Sequence, residues 1–332
     1  MYCKGQLGEL QRDLPLLKRA GLGLAAISYD SRAALRDFAL RKGIAFPLLS
    51  DHESVVIRAY GVADRRYHKG AQLDVDSSGE VPVYGLAYAS VFVLNANGTV
   101  RWRFVSEHEE LRFTASSILQ RSVGQLADQS RTPLEGGRIH VEITAGDTSA
   151  GMGSSLTIGI ELRIPPGWHI YGPQAGGDYR GLAWRMDSSQ CSIIGDTEYP
   201  VPRWEQPAFA DARLPEYEGN IRLTRELVIR PMISDTRTAV ERFRKACLDS
   251  DSRFPASGSL AFQACTDREC LPPQSVPLRW TFAFTPPDRE RVPIELWRAS
   301  IRSHTARTAY LDSIQGYTLY GVLCCGRIRL EL

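Results

Sequence analysis

Cys265 and Cys270 stand at the two ends of a polar run, Thr266-Asp267-Arg268-Glu269. Two thiols so spaced can cycle between dithiol and disulfide, and an exposed bond of this kind exchanges with incoming thiolates. The flanks say what positions them: Ser259 to Gln263 and Val276 to Phe284 alternate apolar and polar residues, so the cysteines are expected on the two arms of a β-hairpin, near its tip. Facing residues of an antiparallel pair have Cα atoms about 4.5–5.5 Å apart, a gap that a disulfide spans without refolding. Closing so short a loop removes little entropy from the unfolded chain, which makes stapling a weak reason for the bond. A structural hairpin staple and half of a soft metal site, which would need further ligands, remain open alternatives at this point.

Pro272-Pro273 and Val276-Pro277-Leu278 follow the pair, and Pro166-Gly167-Trp168-His169-Ile170-Tyr171 lies upstream. In these features the segment resembles the N-terminal periplasmic domain of the thiol:disulfide interchange proteins of the DsbD family. The resemblance implies an immunoglobulin-like sandwich with Cys265 and Cys270 as its catalytic pair and aromatic side chains, Tyr171 among them, flanking the cysteines. It also puts His169 beside the pair, where an imidazole could stabilise a thiolate or pass a proton. The family carries a cap loop whose aromatic residue shields the disulfide until a partner binds. Pro207-Ala208-Phe209, ahead of Tyr217-Glu218-Gly219, is the nearest match, which makes Phe209 the cap. The cysteine spacing is one residue shorter than in the best-known member.

The first 126 residues alternate helix and strand. Leu7, Leu10, Leu14 and Leu17 have helical spacing, with Pro15 as a kink. Leu22 to Ser28 suits a buried parallel strand, and Ser31 can cap a helix that ends at Gly43. Ser50-Asp51-His52-Glu53 has the capping-box form ahead of Val55 to Tyr60. Ser90 to Leu94 and Thr99 to Val105, joined by Asn95-Ala96-Asn97-Gly98, read as a hairpin. Ala25-Ala26-Ile27-Ser28-Tyr29-Asp30-Ser31, Phe46-Pro47-Leu48-Leu49-Ser50-Asp51, Tyr60-Gly61-Val62 and Val91 to Gly98 together resemble the AhpC/TSA branch of the thioredoxin fold. In that family the active-site cysteine opens the first long helix, in some members as Trp-Cys-x-x-Cys-Lys. Cys3-Lys4 matches the end of that motif, so Cys3 is expected as a resolving thiol at a fraying terminus, in a redoxin domain that is either truncated or degenerate.

The expected organisation is therefore an α/β thioredoxin-like domain, incomplete at its N-terminus, over residues 1–127; a breaker-rich linker over 128–137; an all-β sandwich over 138–285; and an extension over 286–332, with a helix at Glu295 to Arg302 and the vicinal Cys324-Cys325. A formal charge of +2, from 40 basic and 38 acidic residues, gives no reason to expect nucleic acid. No apolar run approaches a membrane span. The start of the chain shows no export signal, which places it in the cytosol, whereas the DsbD resemblance implies a bacterial periplasm. His52, His68, His108, His140 and His304 show no metal-ligand spacing, and Cys191 and Cys247 are expected as buried small side chains. Seven cysteines leave at least one outside intramolecular pairs.

The functional expectation is a thiol-disulfide oxidoreductase that relays electrons between protein partners through Cys265 and Cys270, with Cys265 favoured as the first thiolate, the spacing leaving open which cysteine attacks, and no metal or organic cofactor. Two alternatives accompany it. One is a thiol peroxidase, an antioxidant whose peroxidatic cysteine is missing from this chain. The other is a non-catalytic binding module derived from a redoxin.

Overall fold

The computed structural model describes residues 2–51, 53–66, 85–107, 111–125, 128–176, 179–206, 212–231, 237–288 and 290. Helices α1 (Tyr2–Arg12) and α2 (Leu14–Arg19) break at Asp13, and Pro15 sits in the first turn of α2, where its missing N–H leaves no hydrogen bond unmade. Strand β1 (Ala26–Ser28), helix α3 (Arg32–Lys42) and strand β2 (Leu48–Ser50) form a crossover whose strands pair in parallel, Ala26 against Leu48. Ser31 caps α3 by accepting the Ala34 N–H at 3.0 Å, and Gly43 ends it in the left-handed region. Helix α4 (Val55–Ala59) departs from the expected capping box: Asp51 accepts the Ile57 N–H at 2.7 Å, and Ser54 is the N-cap residue. Strands β3 (Ala89–Leu94) and β4 (Val100–Ser106) make the expected hairpin. Val91 and Val93 enter the core built by α1, α2 and α3, while Phe92 enters a second one with Ile57 and Val62. A strand buried on both faces between helices is the mark of an α/β layer, and this unit is thioredoxin-like.

Strand β5 (Arg112–Phe113) and helix α5 (Ala115–Val123) lead out of that unit. The rest is β-rich: β6 (Ser130–Leu134), β7 (His140–Ala145), β8 (Ser149–Gly151), β9 (Ser154–Arg163), β10 (His169–Tyr171), β11 (Ala183–Met186), β12 (Ser192–Glu198), β13 (Arg203–Glu205), β14 (Leu214–Tyr217) and β15 (Asn220–Ile229), then helix α6 (Arg237–Cys247), β16 (Arg253–Phe262), β17 (Ala264–Cys265) and β18 (Gln274–Thr285). One sheet runs β11-β16-β18-β8 and a second β12-β15-β9-β7-β6, with β5 paired to β9. Every second residue points inward: Val141 and Ile143, Leu156 to Leu162, Phe254 and Phe262, and Val276 to Phe282 share one core. Each such side chain contributes roughly 1.5–3 kcal/mol by leaving water. Trp280 stacks on Trp184 at 5.7 Å and donates its indole N–H to the Thr144 carbonyl at 2.9 Å.

Two expectations are corrected here. The stretch expected as a linker holds β6, which pairs with β7 from Ser130 to Leu134. Pro133 is tolerated because β6 is the edge of its sheet. Cys191 and Cys247 are a disulfide, Cα atoms 5.7 Å apart, rather than separate small side chains. Helix α6 brings them together by laying Val240 and Phe243 on the sandwich, with Phe243 5.4 Å from Phe284.

The two units are in direct contact. The Ser117 hydroxyl donates to the Ser155 carbonyl at 2.7 Å, the Thr114 hydroxyl to Asp147 at 2.9 Å, and the Ser154 hydroxyl to Glu9 at 3.3 Å. Burial pushes the carboxyls of Glu9 and Asp147 up to about 7. Beyond β18, Asp288 and Glu290 pair with Lys42 at the end of α3, at 3.1 and 2.8 Å. The helix expected at Glu295 to Arg302 and Cys324-Cys325 lie outside the described residues.

Candidate redox site

Through β17 the tip of the cysteine hairpin joins a third sheet, ordered β13-β14-β10-β17. The hairpin's arms are β16 and β18, which pair from Arg253–Ala283 to Phe262–Gln274. At Gln263 the chain leaves the sheet that holds β16 and β18, and β17 pairs with β10 instead. The tip folds on itself: the Thr266 N–H donates to the Glu269 carbonyl at 2.7 Å, and the Thr266 hydroxyl accepts the N–H groups of Arg268 and Glu269 at 3.2 and 3.1 Å. Cys265 and Cys270 face each other across an antiparallel bridge and are joined by a disulfide, with Cα atoms 4.0 Å apart. That is closer than the about 4.5–5.5 Å expected for a regular pair. Cys265 is 0% exposed, whereas Cys270 is on the surface.

Residues paired across a sheet share a face, and the register therefore assigns the surroundings. His169 lies opposite Cys265, Tyr171 opposite Glu216, and Glu216 opposite Arg203. With a period of two, Arg203, Glu205, Leu214, Glu216, His169, Tyr171 and Cys265 occupy one face. The intervening Ile170, Tyr217 and Ala264 enter the sandwich core. Tyr171, Leu214 and Cys265 pack together with Tyr179 against them, the two tyrosine rings 5.1 Å apart.

Burial lowers the basicity of His169, with the charges of Asp267 and Glu218 pulling the other way. Burial raises the Glu216 carboxyl, and Glu205, Glu218 and Asp267 raise it further. Tyr171 is pushed up to about 12, first by burial and then by Glu216 and Tyr179. The His169 Nε2 atom is 3.4 Å from the Tyr171 hydroxyl and 3.9 Å from Glu216 Oε1. The second distance is too long for a hydrogen bond, and burial works against both charges, so this contact is not a working ion pair. The disulfide thus has a buried imidazole, a phenol and a carboxyl on its own sheet face.

Of the residues singled out in the sequence, Cys265, Cys270, His169 and Tyr171 converge. Phe209 lies outside the described residues. Cys3 is elsewhere and is not on a fraying end: it is 1% exposed in the first turn of α1, packed in the core of the α/β unit, and Arg112 Nη2 donates to its sulfur at 3.0 Å. The core leucines Leu7 and Leu10 anchor that turn. Glu216 is the member the sequence did not reveal. Its strand, Leu214-Pro215-Glu216-Tyr217, is short and interrupted by proline, and a carboxylate between apolar neighbours was the one available signal. Among the described residues, no group of three His, Cys, Asp or Glu side chains is placed to hold a metal ion, and no helix is long and apolar enough to cross a membrane.

Residues 1–103 match the AhpC/TSA family. No curated protein matches the chain. Among solved structures, the chain is similar to the N-terminal domain of DsbD from Neisseria meningitidis in its reduced form, at 12% identity and a TM-score of 0.25, over 38% of this chain and 77% of that one. It is also similar to the N-terminal periplasmic domain of ScsB from Proteus mirabilis, at 19% identity and a TM-score of 0.29, over 46% of this chain and 51% of that one.

Proposed function

We propose that this protein exchanges dithiol and disulfide with a protein partner through Cys265 and Cys270. The observation that carries this reading is the asymmetry of the pair: Cys265 is enclosed with Tyr171 and Leu214, and Cys270 is an exposed residue. A partner thiolate attacks Cys270 Sγ, the bond to Cys265 breaks, and Cys265 leaves as a thiolate that takes up a proton, with His169 opposite it as the relay. A second partner thiol then attacks the mixed disulfide and releases Cys270 as a thiol. Two electrons have passed to this chain, and the partner leaves as a disulfide; the reverse sequence reduces a partner. In this reading the exposed Cys270, rather than Cys265, meets the partner first.

Residues 138–285 carry the exchange and residues 1–127 are a redoxin-derived unit beside it, with Cys3 taking no part. An oxidising compartment such as the bacterial periplasm suits the pair, and the second, long-range disulfide of the sandwich supports that placement. The test compares the Cys265→Ala and Cys270→Ala variants in their reaction with cystamine, followed by intact mass. The variant that keeps Cys270 should acquire the adduct about tenfold faster or more, following its access to solvent. Equal rates, or faster reaction of the variant that keeps Cys265, would overturn the assignment.

A further inference from the structure

We infer that the partner surface presented to Cys270 is cationic, with lysine or arginine side chains around the partner's own reactive sulfur. This rests on the exchange reading above and extends it to the partner's chemistry. Four surface carboxylates border the site: Glu205 on the site face, Glu218 in the turn after β14, and Asp267 and Glu269 in the hairpin tip, with Glu216 buried on the site face. Arg203, Arg213 and Arg268 are the cations of the same segments; Arg203 already pairs with Glu218 at 3.3 Å, and Arg213 donates to the Trp204 carbonyl. Arg203, the register partner of Glu216, is engaged by Glu218, and the charges of Glu205, Glu218 and Asp267 add to burial in raising the Glu216 carboxyl.

A second observation is independent of that count. Glu216 is only 6% exposed, shares the sheet face of the disulfide, and its buried Oε1 has no hydrogen-bond partner. Like charges gathered around a buried, unsatisfied carboxyl disfavour the isolated fold and are relieved by an incoming cation. The same field repels an anionic thiol and draws in a thiol flanked by positive charge.

The test uses two short peptides with one reduced cysteine each, flanked by lysines in one and by glutamates in the other. Second-order rates of reduction of the Cys265–Cys270 bond are measured per thiolate, at low salt and again at about 1 M salt, where the Debye length is about 3 Å. The lysine peptide should be faster by about tenfold or more at low salt, and the gap should close at high salt. Replacing the exposed rim together (Glu205→Gln, Glu218→Gln, Asp267→Asn, Glu269→Gln) should bring the two rates together at low salt as well. Equal rates in the unaltered protein at low salt, or a preference unchanged in the rim variant, would overturn the inference and leave the exchange reading standing. A bond that neither peptide reduces at any salt would overturn both.

Discussion

Removing the two disulfides one at a time should cost unequal amounts of stability. Cys191 and Cys247 are 56 residues apart in sequence, and Cys265 and Cys270 are 5 apart. If a cross-link acts by narrowing the unfolded ensemble, the loss grows with the logarithm of loop length, giving about 4 kcal/mol for the long loop and about 2 kcal/mol for the short one. Packing losses act in the same direction, because Cys191 is buried with Cys247 half-buried against the core, whereas Cys265 is buried and Cys270 exposed. Native contacts widen the gap. The long bond holds α6 and its buried Val240 and Phe243 to the sandwich, while the hairpin tip is also held by the Leu271 N–H on the Ala264 carbonyl at 2.9 Å. The assay is urea unfolding of the two double Cys→Ala variants, followed by circular dichroism. The Cys191/Cys247 variant should be the less stable by about 2 kcal/mol, with the slope against urea unchanged. Equal losses, or a larger loss for Cys265/Cys270, would refute the reasoning and make the hairpin bond a staple.

Three further outcomes follow from the geometry. Glu9 and Asp147 keep their protons to about pH 7 in the fold, against ordinary values of 4.5 and 3.8. The folded state therefore binds more protons in that window, and stability should fall as pH rises through it, by up to about 3 kcal/mol per pH unit, and level off above it. Urea midpoints across the window would show this; a rise, or a slope that survives Glu9→Gln with Asp147→Asn, would contradict it. Gly258→Ala would drive a Cβ onto the Arg185 carbonyl oxygen, 3.0 Å from the Met186 Cα, where β11 lies against β16. It should destabilise by about 1–3 kcal/mol in the same assay, and an unchanged midpoint would show that the strands can part freely. Glu216→Gln removes a negative charge near the nascent thiolate, so it should make the Cys265/Cys270 potential less negative by about 30 mV, equivalent to about 1.4 kcal/mol. Because burial raises that carboxyl, the effect should grow with pH, and a shift in the other direction would count against the field described for the site.

Much of the fold was legible because its physics is local. The period of two in β9, β16 and β18 and the caps at Ser31 and Gly43 are carried by neighbouring residues. The hairpin was legible for the same reason, and with it the approach of Cys265 to Cys270. What escaped depends on distant chain. Strand β6 looked like a linker, since Thr132 and Pro133 are strand-compatible only at the edge that β7 provides. The partner of Cys191 is fixed by how α6 docks, which no local pattern encodes. Glu216 joins the site through the register of β14 with β10, a relation between segments that the Leu-Pro-Glu-Tyr string does not contain. Asp51 caps α4 by reaching Ile57, six residues on, beyond the span of the box that its neighbours suggested.

The reduction potential of the Cys265/Cys270 pair tests the central claim most directly. Alkylation trapping and mass spectrometry across a glutathione redox series would read it, with Cys270→Ala as the control. A reversible bond poised roughly between −300 and −120 mV, the range of exchange-active proteins, is the expected result. A bond that stays oxidised well below roughly −300 mV, or two thiols that never join, would contradict electron relay through this hairpin.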